Sequence, residues 1–215
     1  MQQNGRAFDP GLYFITDSTF CGEEEFLQRV EKALQGGATL LQLREKDKSA
    51  REYLELAEKV HAISQKYHVP LIIDDRVDVA LAVDAEGVHV GTSDMPVGMA
   101  RRLMGDKKIV GATAKTVARA KEAYEEGADY LGVGAIYPTT TKVKTVLTSV
   151  ETLLDICSAV PIPVNAIGGL NKDNIGILAG IPIAGICAVS AIMKAADPQK
   201  AAGELKERAR ELGLI

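Results

Sequence analysis

A barrel of eight parallel strands alternating with helices, the (β/α)8 or TIM-barrel fold, is the fold class predicted for this chain, as one domain over residues 1–215. Three observations predict it. Short runs rich in Val, Ile and Leu alternate with longer amphipathic stretches, the pattern of buried parallel strands covered by helices, and eight such units can be counted. Glycines punctuate the helix-to-strand joints, where a left-handed residue closes a helix. No Pro/Ser-rich linker divides the chain, and this length suits a compact barrel with few insertions, such barrels more often running to roughly 250 residues.

The strands are expected, in order, at Leu12–Thr16, Leu40–Leu43, Leu71–Ile73, Gly87–Val90, Lys108–Gly111, Tyr130–Val133, Pro163–Ala166 and Gly185–Ala188. Helical periodicity fills the intervals, as in Glu24–Gln35 and Ala50–Lys66. Gly36-Gly37 and Gly127 supply stop signals. The phrases Gln35-Gly36-Gly37-Ala38 and Glu126-Gly127-Ala128-Asp129 mark equivalent turns of a repeated unit. An open doubly wound sheet is the competing architecture. It would use fewer strands and a glycine-rich first turn, and Thr16-Asp17-Ser18-Thr19 is not that turn.

With 47% apolar and 25% charged residues, the chain has the composition of a soluble globular domain. The segment Met1-Gln2-Gln3-Asn4-Gly5-Arg6 is polar, and no stretch approaches the roughly 20 apolar residues of a membrane span. A cytoplasmic protein with no membrane partner is therefore expected. Cys21, Cys157 and Cys187 are too scattered for a metal site or disulfide framework, consistent with reduced thiols. A formal charge of −4 without a basic stripe argues against nucleic acid as a partner. Small anions need only a local cluster of cations. GxSxG, Walker A and HExxH motifs are all missing, which removes support for hydrolase, nucleotide-triphosphate and zinc-protease chemistry.

Barrel enzymes build their sites at the carboxyl ends of the strands. After the second run, Gln42, Arg44 and Lys46 alternate and would project from one side if the strand continued. Asp74 and Asp75 follow the third run, and Asp94 lies just after the fourth. Carboxylates converging there would repel one another unless a cation lay between them, and a hard divalent ion with oxygen ligands, magnesium, is inferred. Taken singly, Asp75 reads as a cap for the helix beginning near Val77, Asp94 as the start of the turn into Met95-Pro96, and Arg44–Lys48 as a solvated loop.

A second anion site is expected across the barrel. Ile167-Gly168-Gly169 follows the seventh run and is expected to open a helix near Asn171; Val189-Ser190 is expected to open another after the eighth. Barrels frequently bind phosphate at these loops. Helix termini contribute only about 0.3–1 kcal/mol each, enough to position a phosphate but not to activate a diphosphate leaving group. A metal with cationic side chains supplies several kcal/mol. Between the two sites, Pro138–Thr145 forms a long loop rich in hydroxyls and lysines, either a cover for an anionic substrate or an ordinary connection. His89 reads as a hydrogen-bonded structural histidine.

Tyr13–Asp17 as YFITD, Gln42–Lys46 as QLREK, Asp75–Asp78 as DRVD, Gly87–Gly91 with Asp94, PTTTK and VNAIGGL together closely resemble the thiamine-phosphate synthase family over almost the whole chain. The resemblance implies a transferase that joins hydroxymethylpyrimidine diphosphate to hydroxyethylthiazole phosphate, releasing pyrophosphate by dissociative displacement. It implies that Gln42, Arg44, Lys46 and Lys142 bind the diphosphate and that Asp75 and Asp94 hold Mg2+. Thr139, Thr140, Thr141, Gly168, Gly169, Val189 and Ser190 would hold the thiazole phosphate. Arg44, Lys46, Lys142 and Thr113 are the expected catalytic groups, with Asp74 and Thr113 also against substrate. Asp74 stands where the family usually has Asn, Thr113 where a serine is usual after the fifth strand, Thr92 for an amide, and Lys144 near a usual acid. A thiazole tautomerase of the same superfamily and a non-catalytic phosphate-binding regulator are the alternatives. A symmetric homodimer is compatible on frequency alone.

Overall fold

The computed structural model describes residues 7–138 and 146–215. Eight strands, β1 (Leu12–Ile15), β2 (Leu40–Leu43), β3 (Leu71–Asp74), β4 (Gly87–Val90), β5 (Ile109–Ala114), β6 (Tyr130–Gly134), β7 (Val164–Ile167) and β8 (Gly185–Ala188), pair in parallel and in sequence order. β8 pairs with β1, and the sheet closes. The order is that of the (β/α)8 barrel. Helices α1 (Glu23–Gln35), α2 (Ala50–Lys66), α3 (Val77–Ala82), α4 (Val97–Met104), α5 (Val117–Glu125), α6 (Val150–Ala159), α7 (Ser190–Met193) and α8 (Pro198–Glu211) occupy the connections. None is long and apolar enough to cross a membrane.

Side-chain alternation along the strands builds two cores. Leu12, Phe14, Leu41, Leu43, Leu71, Ile73, Val88 and Val90 face outward and pack beneath the helices, which bury Phe26, Val30, Leu56 and Val60 against them. The intervening residues face the barrel axis, where Tyr13, Ile15, Leu40, Ile72, Ile109, Tyr130 and Cys187 form a separate cluster. Glycines make this interior fit. A methyl at Gly111 would overlap the phenol of Tyr130, a fully buried ring in edge contact with Tyr13 and Phe8.

The helices end as the sequence signals require. Gly37 and Gly127 take φ of 98° and 97°, and each turn closes identically: Gly37 N–H donates to Leu34 O and Ala38 N–H to Ala33 O, matched by Gly127 to Tyr124 and Ala128 to Ala123. At its start, α2 carries a reciprocal capping box between Ser49 and Glu52.

Two expectations are corrected and a third is borne out with a limit on its length. β5 continues to Ala114, so Thr113 belongs to the strand and not to the loop after it. No helix opens near Asn171; a single 3-10 turn at Ile175–Leu178 stands there. Asn side chains capture the backbone instead: Asn174 Oδ1 accepts from Asn171 N–H, Asn171 Oδ1 accepts from Asp173 N–H, and Asn174 Nδ2 donates to Gly169 O. The helix after Val189 is real but spans four residues, too few for a substantial dipole.

Candidate active site

One cavity of about 180 Å3 opens at the carboxyl ends of the strands. Gln42, Arg44, Lys46, Asp74, Asp75, Asp94 and Thr113 line one side of it, and Gly168, Gly169, Val189 and Ser190 line the other. β2 ends at Leu43, so Arg44 and Lys46 reach the cavity from the loop beyond it. Thr139, Thr140, Thr141 and Lys142 lie outside the described residues.

The acidic side is held by ties to neighbouring elements. Thr16 Oγ1 accepts from the Arg44 N–H at 3.1 Å. From α2, the buried Tyr53 hydroxyl donates to Leu43 O at 2.7 Å and lies 3.3 Å from Asp74 O, so one phenol joins the tips of β2 and β3. Asp75 adopts φ of 61°, a left-handed conformation uncommon outside glycine, with its N–H donating to His89 O. Neither carboxylate caps a helix: the N-cap residues of α3 and α4 are Arg76 and Pro96. Asp94 turns back, and its Oδ2 accepts from Gly91 N–H at 2.9 Å.

Charges alternate closely here. The Lys46 ammonium is ion-paired with Asp75 and stands 2.7 Å from Asp74 Oδ2, which lies 3.8 Å from Arg44 Nε. Burial works against the Lys46 charge, but Asp74 and Asp75 outweigh it and raise its pKa. Burial first, and then the hydrogen bond and charge of Asp75, push the Asp94 carboxyl up from its ordinary value. Although Lys46 is near, Asp74 Oδ2 is buried and receives no well-aligned hydrogen bond. A buried oxygen without a well-aligned hydrogen bond, beside two neighbouring carboxylates at Asp75 and Asp94, is a donor set suited to a hard divalent cation. Among the described residues, no three His, Cys, Asp or Glu side chains group tightly enough to hold an ion alone, so retained waters or substrate oxygens would complete the shell.

Across the cavity, backbone geometry dominates. Gly168 and Gly169 take φ of 108° and 63°. Their loop is zipped to the segment after β6: Ile136 N–H donates to Ile167 O and Tyr137 N–H to Gly168 O, both at 3.0 Å. A methyl at Gly169 would come within 2.8 Å of Pro138 O and Tyr137 Cβ. The first N–H groups of α7 are unused by the helix itself, and Ser190 brings them to the cavity edge.

The chain from residue 12 to 192 matches the family model described as thiamine monophosphate synthase. The chain belongs to this thiamine monophosphate synthase family. A thiamine-phosphate synthase of Enterococcus faecalis is 54% identical over 184 residues, 86% of this chain and 87% of that one. The thiamine-phosphate synthase of Clostridium tetani is 45% identical over 202 residues, covering 94% and 97%. Among solved structures, a thiamine phosphate pyrophosphorylase from Pyrococcus furiosus superposes with a TM-score of 0.86 at 40% identity, covering 95% of this chain and 97% of its own.

Several cavity residues of this family member escape motif reading. Lys115, two residues beyond Thr113, adds a cation and donates to Val146 O at 3.2 Å. Tyr13, His89 and Cys187 form part of the lining and carry no site signature in sequence, because each reads as strand filler. Only the inward period of β1, β4 and β8 could have found them.

Proposed function

We propose that the chain is a thiamine-phosphate synthase, a transferase that condenses hydroxymethylpyrimidine diphosphate with hydroxyethylthiazole phosphate to yield thiamine phosphate and pyrophosphate. The observation that carries this reading is the two-sided cavity: Arg44 and Lys46 beside Asp75 and Asp94 on one side, a glycine-lined anion cradle at Gly168, Gly169, Val189 and Ser190 on the other. A highly charged group that departs and a phosphate that stays require those two different environments.

Asp75 and Asp94 would hold Mg2+, with Asp74 beside them, and the ion would neutralise charge on the departing pyrophosphate. Arg44 and Lys46, joined by Lys142, orient the diphosphate and stabilise charge as the carbon–oxygen bond to the pyrimidine methylene breaks. The thiazole nitrogen then attacks that methylene carbon. No enzyme nucleophile is required. Gly169 and Ser190 fix the thiazole phosphate and so set the reacting atoms in range, which is proximity catalysis. A cytoplasmic setting fits the three free cysteines, and a symmetric homodimer is the assembly we expect.

The test is to mix the protein with both substrates and Mg2+ and to detect thiamine phosphate and pyrophosphate. Both products in equal amounts support the proposal. Tautomerisation of the thiazole without pyrophosphate release, or phosphate binding without either reaction, overturns it.

A further inference from the structure

Beneath the charged rim a line of polar side chains crosses the apolar interior. Gln42 Nε2 donates to the Tyr13 hydroxyl at 2.7 Å. The Tyr13 and Tyr130 hydroxyls are 2.6 Å apart, Tyr130 Oη is 3.1 Å from His89 Nδ1, and His89 Nε2 is 3.0 Å from Thr113 Oγ1. Both phenols are buried, and burial raises the pKa of each well above its ordinary value, so each brings one hydrogen. Gln42 and Thr113, the two ends, both line the cavity.

Counting hydrogens gives this line a direction. With Gln42 donating to Tyr13, the Tyr13 hydrogen is free for Tyr130, the Tyr130 hydrogen for His89 Nδ1, and the His89 hydrogen, on Nε2, for Thr113. Four contacts use four hydrogens. The opposite tautomer, with its hydrogen on Nδ1, would make Tyr130 donate to Tyr13. The Tyr13 hydroxyl would then receive two hydrogens and hold its own against apolar surroundings, and an unsatisfied buried donor is costly. A doubly protonated imidazole creates the same orphan. Cys187, the titratable neighbour of both phenols, is buried with its thiol pKa raised and is at best a weak acceptor.

We propose that Tyr13, Tyr130 and His89 are positioning residues that form a one-way hydrogen-bond line from Gln42 to Thr113, holding His89 neutral with its proton on Nε2. Thr113 then accepts from His89 and presents its hydroxyl hydrogen to the cavity as a donor. The Gln42 amide, with its nitrogen committed to Tyr13, turns its oxygen toward the cavity as an acceptor. The barrel floor thus offers an acceptor at one end and a donor at the other. The direction is fixed by the one amide at the head of the line.

Nitrogen-15 correlation spectra of the histidine rings in the full chain test this directly. His89→Gln identifies the His89 signals among those of the three histidines. The expected result at neutral pH is the Nε2–H tautomer in at least about fivefold excess, the minimum implied by one orphaned buried donor. Gln42→Glu replaces the donor at the head of the line by an acceptor for the Tyr13 hydrogen, so the line should reverse and Nδ1 should carry the proton. A dominant Nδ1–H form, or two protonated nitrogens, in the unaltered protein overturns the proposal; so does an unchanged Nε2–H excess in Gln42→Glu. A kinetic arm rests on the thiamine-phosphate synthase reading: Tyr13→Phe should lower kcat/KM about fivefold, the worth of one neutral hydrogen bond. If no condensing activity exists the spectra still decide the inference, so failure of one reading is separable from failure of the other.

Discussion

Gly169→Ala probes the proposed phosphate side of the cavity most directly. Two costs follow from the geometry. The residue has φ of 63°, where an L side chain costs about 1–2 kcal/mol. The new Cβ would stand 2.8 Å from both Pro138 O and Tyr137 Cβ, and those neighbours are fixed because Tyr137 N–H is bonded to Gly168 O. Overpacking of this kind typically costs about 1–3 kcal/mol. The combined range is about 2–5 kcal/mol, and at about 2–4 °C per kcal/mol for a chain of this size the melting temperature should fall by about 4–20 °C. If the loop swings away to relieve the overlap, the cost reappears in binding, because the N–H groups leave the position proposed for the phosphate. Thermal denaturation without ligand and steady-state kinetics with each substrate varied in turn read both outcomes. The KM for the thiazole phosphate should rise more than that for the pyrimidine diphosphate. A variant that melts within about 1 °C of the parent and keeps both KM values would refute the placement of this loop and its role.

Arg44→Ala and Lys142→Ala should each lower kcat by about 10²–10³-fold, the usual effect of removing one preorganised stabiliser of developing charge; near-normal turnover in both would remove the diphosphate assignment. Asp75→Asn should bring the Asp94 titration midpoint down toward 3.8, measured by carbon-13 carboxyl shifts, because the charge of Asp75 is one cause of its rise. An acid whose folded pKa is raised makes the folded state less stable as pH climbs from its ordinary value through the raised one, and a cation that binds the ionised pair offsets this. The increase in melting temperature on adding Mg2+ should therefore be present at neutral pH and vanish on acidification; an equal increase at both would argue against binding at Asp75 and Asp94. Tyr53→Phe should destabilise by about 1–3 kcal/mol in urea titration, since Leu43 O loses its buried donor, and should slow turnover by loosening the tips of β2 and β3.

The barrel was legible in the sequence because buried parallel strands are written as continuous apolar runs, and three of the eight, Leu40–Leu43, Gly87–Val90 and Gly185–Ala188, match the observed bounds. The others shift by one to three residues. β5 shifted most, since Ala112-Thr113-Ala114 carries small residues that no periodicity marks as strand. The absent helix after Gly169 had a weaker cue: Asn171 and Asn174 compete for backbone N–H groups, and Gly176, Gly180 and Pro182 follow within a few residues. Charged rim residues were readable because charge after an apolar run stands out. The polar floor was not, because Tyr13, His89 and Tyr130 sit in strands far apart in sequence, and only barrel closure brings them within 3.1 Å of their partners.

Residues that shape the reaction chamber and residues that anchor the helices are immediate neighbours in sequence, one step apart along every strand. Adding or deleting a single residue inside a strand would exchange the two sets, turning Phe14 or Leu43 toward substrate and Tyr13 or Gln42 toward the helices. Length variation in this lineage should consequently be confined to the connections, while the strands accept replacement but no change of frame.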